Sequence, residues 1–257
     1  METIEVSRSE GVVTITLNRP ERKNAINALM WDELLDTFTA VARNADDRVL
    51  VITGAGGDFS SGADLTPGAG GPRESGIDSM RKVATVCMAL HHLAKPTIAK
   101  VPGVAVGAAC NMALGCDLIV AGESSRFSEI FVRRGLSLDF GGSWLLPRLV
   151  GLHKAKELAF FGDVIGAAEA ERLGIVNHVV ADDQLDKFVD EWATRLSKLP
   201  PIQLSTIKTM LNNSLQTSMG QALEDEARSQ AVNFKTEDFT EAVRAFLQKD
   251  TPTFKGR

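Results

Sequence analysis

An α/β fold is predicted by three features of the chain. Strand-length apolar runs alternate with amphipathic helical stretches through the first half. One run, VLVITG at 49–54, is apolar without interruption until it ends in glycine. After Pro147, strand patterns nearly cease and helical ones take over. At 257 residues, with 44% apolar and 24% charged side chains, the chain can bury a core of ordinary size.

The elements follow in order. Residues 11–17, GVVTITL, alternate and are β-branched, and with Ile4–Val6 they predict an opening antiparallel pair. NRP at 18–20 is a turn. Ile26, Met30, Leu34, Leu35, Phe38, Val41 and Ala42 recur at helical spacing. The run 49–54 reads as a strand covered on both faces, and the glycine-rich loop GAGGDFSSGADL follows it. TPGAGGPRESG (66–76), rich in glycine and proline, is expected to be a mobile loop that closes over a ligand. Met80, Val83, Ala84, Cys87, Leu90 and Ala94 mark a second helix, and KPTIAKV (95–101) a strand. Residues 102–122 read as a turn, a helix of small residues and the strand CDLIVA. Beyond Pro147, helices are predicted near 153–161, 167–173, 183–199, 203–215, 219–233 and 237–248, with a single strand at 175–180. The expected division is an α/β core over 1–195 and a helical C-terminal region over 196–257.

Bulk properties narrow the function. A net charge of −5 argues against nucleic acid as a partner. Cys87, Cys110 and Cys116 form an odd set without CxxC spacing, as expected of small buried side chains in a reducing compartment. The opening METIEVSRSE is charged and has no apolar signal region, and no uncharged apolar run reaches the ~18 residues of a membrane span. A cytoplasmic protein is the expectation.

Several cofactor motifs fail on spacing. GAGGDF (54–59) lacks the third glycine of a dinucleotide fingerprint, and nothing matches GxxxxGK[ST]. Asp139-Phe140-Gly141 spells a kinase triplet without the HRD that must accompany it, and there is no GxSxG elbow. His91, His92, His153 and His178 show no metal-ligand spacing. The expectation is no metal and no redox cofactor.

Two segments share a different design. SSGADL (60–65) and GVAVGAACNMALG (103–115) combine glycine, alanine and serine, so that backbone N–H groups can approach a ligand oxygen closely. Two converging N–H groups make an oxyanion hole; close helix–sheet packing is the rival explanation. Downstream, GLSLDFGGSWLLP (135–147) contains one carboxylate, Asp139, among apolar residues and glycines, with no cation inside the stretch. An acid in such surroundings is a base with a raised pKa or an N-cap for the helix starting near GGSWLL.

These motifs, taken together and in this order, resemble the crotonase, or enoyl-CoA hydratase/isomerase, superfamily. The matching stretches are NRPERKNAI (18–26), DFSSGADL (58–65), KPTIAKVPGVAVGAACNMALGCDLIVA (95–121), FSEIFVRRGLSLDFGGSWLLPRLVG (127–151), GIVNHVV (174–180) and TFKGR (253–257), which together span nearly the whole chain. The resemblance implies a crotonase-like spiral of ββα turns, with two stacked sheets flanked by helices. It implies a C-terminal helical region that builds homo-trimers or hexamers, and acyl-CoA thioesters as substrates, with coenzyme A arriving as part of the substrate.

The resemblance also assigns residues. The oxyanion donors become the N–H groups of Ala63 and Ala108. Hydratases of the family hold a water between two glutamates; those positions are here Asn111 and Phe131, neither of which is a general base. Glu129 lies two residues off that register. Asp139 falls where the isomerase branch, including 3-enoyl-CoA isomerases and 1,2-epoxyphenylacetyl-CoA isomerase, carries its acid. Lys23 (with Arg22), Ala25, Ser61, Asp64, Leu65 and Lys255 become candidate coenzyme A contacts. Phe131, Trp144, Met80, Val83 and Leu136 become candidate acyl-pocket residues. The expected activity is double-bond isomerisation through Asp139. The rival readings are hydration of a 2-enoyl thioester through Asp139 or Glu129, and a non-catalytic acyl-CoA-binding protein.

Overall fold

The structure, a computed structural model, describes residues 1–66, 68–69 and 76–257. The loop predicted at 66–76 to close over a ligand falls mostly outside those residues. The opening pair is β1 (Ile4–Ser9) and β2 (Val12–Leu17), antiparallel, with Val6 opposite Ile15. α1 (Ala28–Arg43) starts where the Asn27 side chain accepts from Met30 N. β3 (Val49–Gly54), β4 (Thr97–Val101), β6 (Leu118–Gly122) and β9 (His178–Val180) then add in parallel, giving a six-stranded sheet ordered β1-β2-β3-β4-β6-β9. α2 (Gly76–His91) and α3 (Ala108–Leu114) lie between these strands in sequence.

Strand alternation divides the core. From β3, Leu50 and Ile52 enter the large cluster containing Met30, Leu34, Phe38 and Val86. Val49 and Val51 face the other way, with Ile98 and Val120, onto α7 (Leu185–Ser197), whose Leu185, Val189 and Ala193 recur every four residues. This double coverage is why 49–54 carries no polar alternation. Burying each leucine- or valine-sized side chain contributes about 1.5–3 kcal/mol.

The second sheet that the resemblance implies is three-stranded, β5 (Val104–Val106), β7 (Arg126–Ser128) and β8 (Ile165–Gly166), although the pattern of apolar runs predicted none of its strands. Strands of two or three residues offer too little alternation to read. Beyond β7 come α4 (Gly142–Val150), α5 (Leu152–Phe161) and α6 (Ala167–Arg172), with Gly151 at φ +75 separating the first two. Pro147 lies inside α4 and does not end it. α8 (Pro201–Asn213), α9 (Met219–Asn233) and α10 (Glu237–Gln248) complete the chain and expose Leu211, Leu215, Met219, Phe234, Phe246 and Leu247. No described helix is long and apolar enough to cross a membrane.

The loops that follow β2 and β3 are joined by one side chain. Asn24 is fully buried at φ +54, a conformation that asparagine tolerates better than most residues. Its Nδ2 donates to Ala55 O (2.8 Å) and Asp58 O (2.7 Å), and its Oδ1 accepts from Arg19 N (3.0 Å). Beside it, Ser60 Oγ donates to Asn24 O and accepts from Gly62 N. Replacing Asn24 with alanine strands two partly buried carbonyls and an N–H. The expected loss is about 2–4 kcal/mol of stability, read as a lowered thermal midpoint; an unchanged midpoint would deny this side chain its clamping role.

Candidate active site

The segment 60–64 is zippered on both sides. Ser60 pairs with Ala105 through Ser60 N to Val104 O and Val106 N to Ser60 O. Ala63 bridges to Ile26 through Ile26 N to Gly62 O and Asp64 N to Ile26 O. Gly62 sits at φ +92, where a Cβ would lie 2.5 Å from Val106 O and 3.6 Å from Ala108 N, so only glycine permits this approach. Gly107, at φ +57 and ψ −127, turns the peptide that opens α3 and so sets the direction of the Ala108 N–H. Among the described residues, neither the Ala63 nor the Ala108 N–H meets an acceptor. Ala108 is 2% exposed whereas Ala63 is open to solvent. Main-chain donors left free in such a place are suited to a ligand oxygen.

Asp139 begins a tight turn. Phe140 (φ +44) and Gly141 (φ +76) occupy the left-handed region, and Gly142 N donates to Asp139 O at 2.9 Å, the pattern of a type I′ turn. Three helices hold it. Trp31 of α1 stacks on Phe140 with ring centroids 5.5 Å apart. Cys87 of α2 lies against Gly141, its Sγ 3.0 Å from where a Cβ would stand. Asn111 of α3 donates from Nδ2 to Asp139 O at 2.9 Å. Gly142 has no room for a side chain, since a Cβ would fall 2.3–2.5 Å from the Asn111 amide. Asn111 follows Ala108 by three residues on the same helix face, so the free N–H and the support of the turn come from one turn of α3.

The Asp139 carboxylate is partly buried and, among the described residues, its Oδ1 has no hydrogen-bond partner. Burial pushes its pKa up to about 6. It does not cap α4, whose N-cap is Gly141 without a side-chain bond; the capping explanation therefore fails. Nearby, Glu129 is 3% exposed, and neither of its oxygens closes a hydrogen bond. Burial raises its pKa to about 7; contacts with Cys110 and Asn111 oppose that shift, and the charge of Asp139 adds to it. Phe131 is buried, with its ring 3.8 Å from the Cβ position of Gly107, beside the Ala108 N–H.

The other candidates divide. Ala25 is buried and its carbonyl accepts from Arg19 Nη1 at 2.6 Å. The Asp64 carboxylate is already engaged, by Thr66 and by Arg19 at 2.9 Å, and these interactions hold its pKa below the usual value, the Thr66 bond most strongly. Only its main chain is left for a ligand. Ser61 Oγ bonds Arg22 O, Lys23 reaches Asp58 at 3.4 Å from an exposed position, and Leu65 is 62% exposed. All of these border Ala63. Val83 belongs to the core, while Met80 and Leu136 are exposed.

Two further candidates stand apart from this group. Trp144 lies against His91 (5.4 Å between centroids) and under the Arg148 guanidinium (3.8 Å), so its ring is committed to the outer end of α2; Trp31 is the aromatic beside Asp139. Lys255 is in a tail fixed by Asp238 to its own N–H and by Arg48 to Phe254 O. That is the start of β3, whereas the 55–63 loop follows its end, so Lys255 lies away from the site of its own chain. Arg19, Trp31 and Cys87 went unnoticed in the sequence, because each acts through a contact distant along the chain.

The chain and its fold have known relatives. The profile of the enoyl-CoA hydratase/isomerase family matches residues 7–257. A probable enoyl-CoA hydratase of Rhodobacter capsulatus is 37% identical over 255 residues, 99% of this chain and 98% of that protein. The 1,2-epoxyphenylacetyl-CoA isomerase of Escherichia coli is 36% identical over 261 residues and the full length of both. The crystal structure of an enoyl-CoA hydratase from Bacillus anthracis superposes with a TM-score of 0.95 at 31% identity, covering 100% of each chain.

The raised pKa of Asp139 has a stability consequence. Between the usual carboxylate value and about 6 the folded protein holds this proton more tightly than the unfolded chain, so stability falls as pH rises through that window. Asp139→Asn is therefore expected to melt higher than the parent above pH 6, by about 1–2 kcal/mol, with the gap closing near pH 4. Thermal melts across that range check it; a gap that ignores pH would contradict it.

Proposed function

The chain belongs to the enoyl-CoA hydratase/isomerase family, and on that premise we propose that it is an acyl-CoA isomerase converting 3-enoyl to 2-enoyl thioesters, with Asp139 as its single acid and base. The observation that carries this reading is the unpartnered Asp139 carboxylate, held by α3 one helical turn from the free Ala108 N–H. At the two positions where hydratases of the family hold glutamates, this chain has Asn111, committed to the Asp139 carbonyl, and Phe131. Activating water needs a base beside that water, and neither residue provides one.

The chemistry then takes two proton transfers. Ionised Asp139 removes a proton from C2 of the 3-enoyl thioester, and the electron pair delocalises over C2–C4 and the carbonyl. The resulting dienolate oxygen is met by the Ala63 and Ala108 N–H groups, each such donor contributing ~2.7–4 kcal/mol. Asp139 then returns the proton at C4, so the enzyme ends as it began. Apolar surroundings make the carboxylate a stronger base than in water. The coenzyme A portion is expected along Lys23, Ala25, Ser61, Asp64 and Leu65. Lys255, remote from its own site, fits a role toward a neighbouring copy, and the exposed apolar residues of α8–α10 support assembly of trimers or hexamers. Three free thiols fit a reducing, cytoplasmic setting.

The expected result with 3-enoyl-CoA is a product of unchanged mass, identified as the 2-enoyl isomer by chromatography. Asp139→Asn is expected to lower kcat by at least ~10²-fold. For the parent, kcat/KM should rise with pH through about 6, because only ionised Asp139 takes the C2 proton. A 2-enoyl thioester that gains water faster than the 3-enoyl one isomerises would favour the hydratase reading. Tight acyl-CoA binding without turnover would leave a binding protein.

A further inference from the structure

Behind Asn111 lies an imbalance of acceptors. Asn111 Oδ1, Glu129 Oε1 and Glu129 Oε2 are all buried, and among the described residues none has a hydrogen-bond partner. Glu129 adjoins both Cys110 and Asn111. It also lines a narrow cavity with Phe127, Leu146, Leu158 and Ile175, too small for more than a single water. An ionised carboxylate only accepts, so with Glu129 charged these oxygens have only the weak Cys110 thiol and an Asn111 nitrogen already engaged by the Asp139 carbonyl as donors. One proton resolves it. We propose that Glu129 is a positioning residue: as a neutral acid it donates to Asn111 Oδ1, which fixes the amide whose Nδ2 holds the Asp139 carbonyl and so aims the base.

Burial and the charge of Asp139 favour the neutral form, and they outweigh the opposing contacts of Cys110 and Asn111. Cys110 from α3, with its thiol pushed well above its ordinary pKa by burial, stays uncharged. Asp139 brings negative charge from the turn side. Asp163, after α5, lines the same cavity and is paired with Arg133, which thereby offers its charge elsewhere. Burial is the largest influence on Glu129 and raises its pKa to about 7. As pH rises through that value the proton leaves, the Asn111 amide loses its anchor, and the aim of Asp139 degrades. The predicted pH profile of kcat has an alkaline fall belonging to Glu129, separate from the acid limb of Asp139.

The inference rests on the isomerase reading, so the experiment separates the two. Parent, Glu129→Gln and Glu129→Leu are assayed on 3-enoyl-CoA from pH 5 to 9, and their thermal midpoints are followed over the same range. Glutamine keeps a donor and cannot ionise. It is expected to retain kcat within about threefold at pH 6 and to abolish the alkaline fall. Leucine is expected to lose at least tenfold in kcat with KM little changed; should it fail to fold, the glutamine variant decides alone. A glutamine variant that keeps the alkaline fall overturns the proposal, as does a leucine variant with the parent's kcat and profile. A glutamine variant as inactive as Asp139→Asn also overturns it, since Glu129 would then transfer protons itself. The midpoints report independently of substrate. Because the folded pKa exceeds the unfolded one, Glu129→Gln should melt above the parent at pH 8, with the gap shrinking toward pH 5; a constant gap counts against the neutral acid. A parent inactive on 3-enoyl-CoA but showing this midpoint behaviour overturns the isomerase reading and leaves the hydrogen-bond chain intact.

Discussion

The hydrogen bond from Asn111 Nδ2 to the Asp139 carbonyl, 2.9 Å long, is the link on which the rest of the site depends. It ties the first turn of α3, where the Ala108 N–H is free, to the turn that carries the acid. The two are 31 residues apart in sequence, and without this link their relation would follow only from general packing. Gly142 exists to allow it, because any side chain there would occupy the space of the Asn111 amide. The stacking of Trp31 on Phe140 and the contact of Cys87 with Gly141 close the remaining sides.

A buried acid without partners is ordinarily a liability, and folded proteins remove it or pair it. Among the described residues no cation pairs with Asp139, and Arg19, Lys23 and Arg133 are paired with Asp64, Asp58 and Asp163. Asp139 is left with desolvation as the dominant influence, which raises its proton affinity. Two carboxyls with elevated pKa, one partly open and one closed off, stand on either side of one amide. Such a pair is where function is sought in an unassigned structure.

Much of this was legible in the residues. The alternation in GVVTITL, the unbroken VLVITG and the helical pattern over 183–199 led to the observed strands and helices, because each is a long, locally encoded period. β5 and β8 escaped because three and two residues carry no period. The lone acid in GLSLDFGG was visible; what supports it was not. Trp31, Cys87 and Asn111 come from three helices, and nothing local marks a side chain whose partner is remote. Trp144 and Lys255 show the converse. Their residue types suit a pocket and a phosphate, but the helix face of one and the tail path of the other place them elsewhere.

The two residues whose amides are proposed to meet the thioester oxygen differ in exposure: Ala108 is 2% exposed and Ala63 is open. Only the Ala63 amide must surrender bulk water when a carbonyl arrives; the Ala108 amide has almost none to lose. A carbonyl oxygen, weakly hydrated and carried on a tapering chain, reaches the dry donor at little cost. A small, tightly hydrated anion reaches it only by shedding its shell. Burial of Ala108 thus favours a weakly hydrated oxygen over a small hydrated anion at that amide.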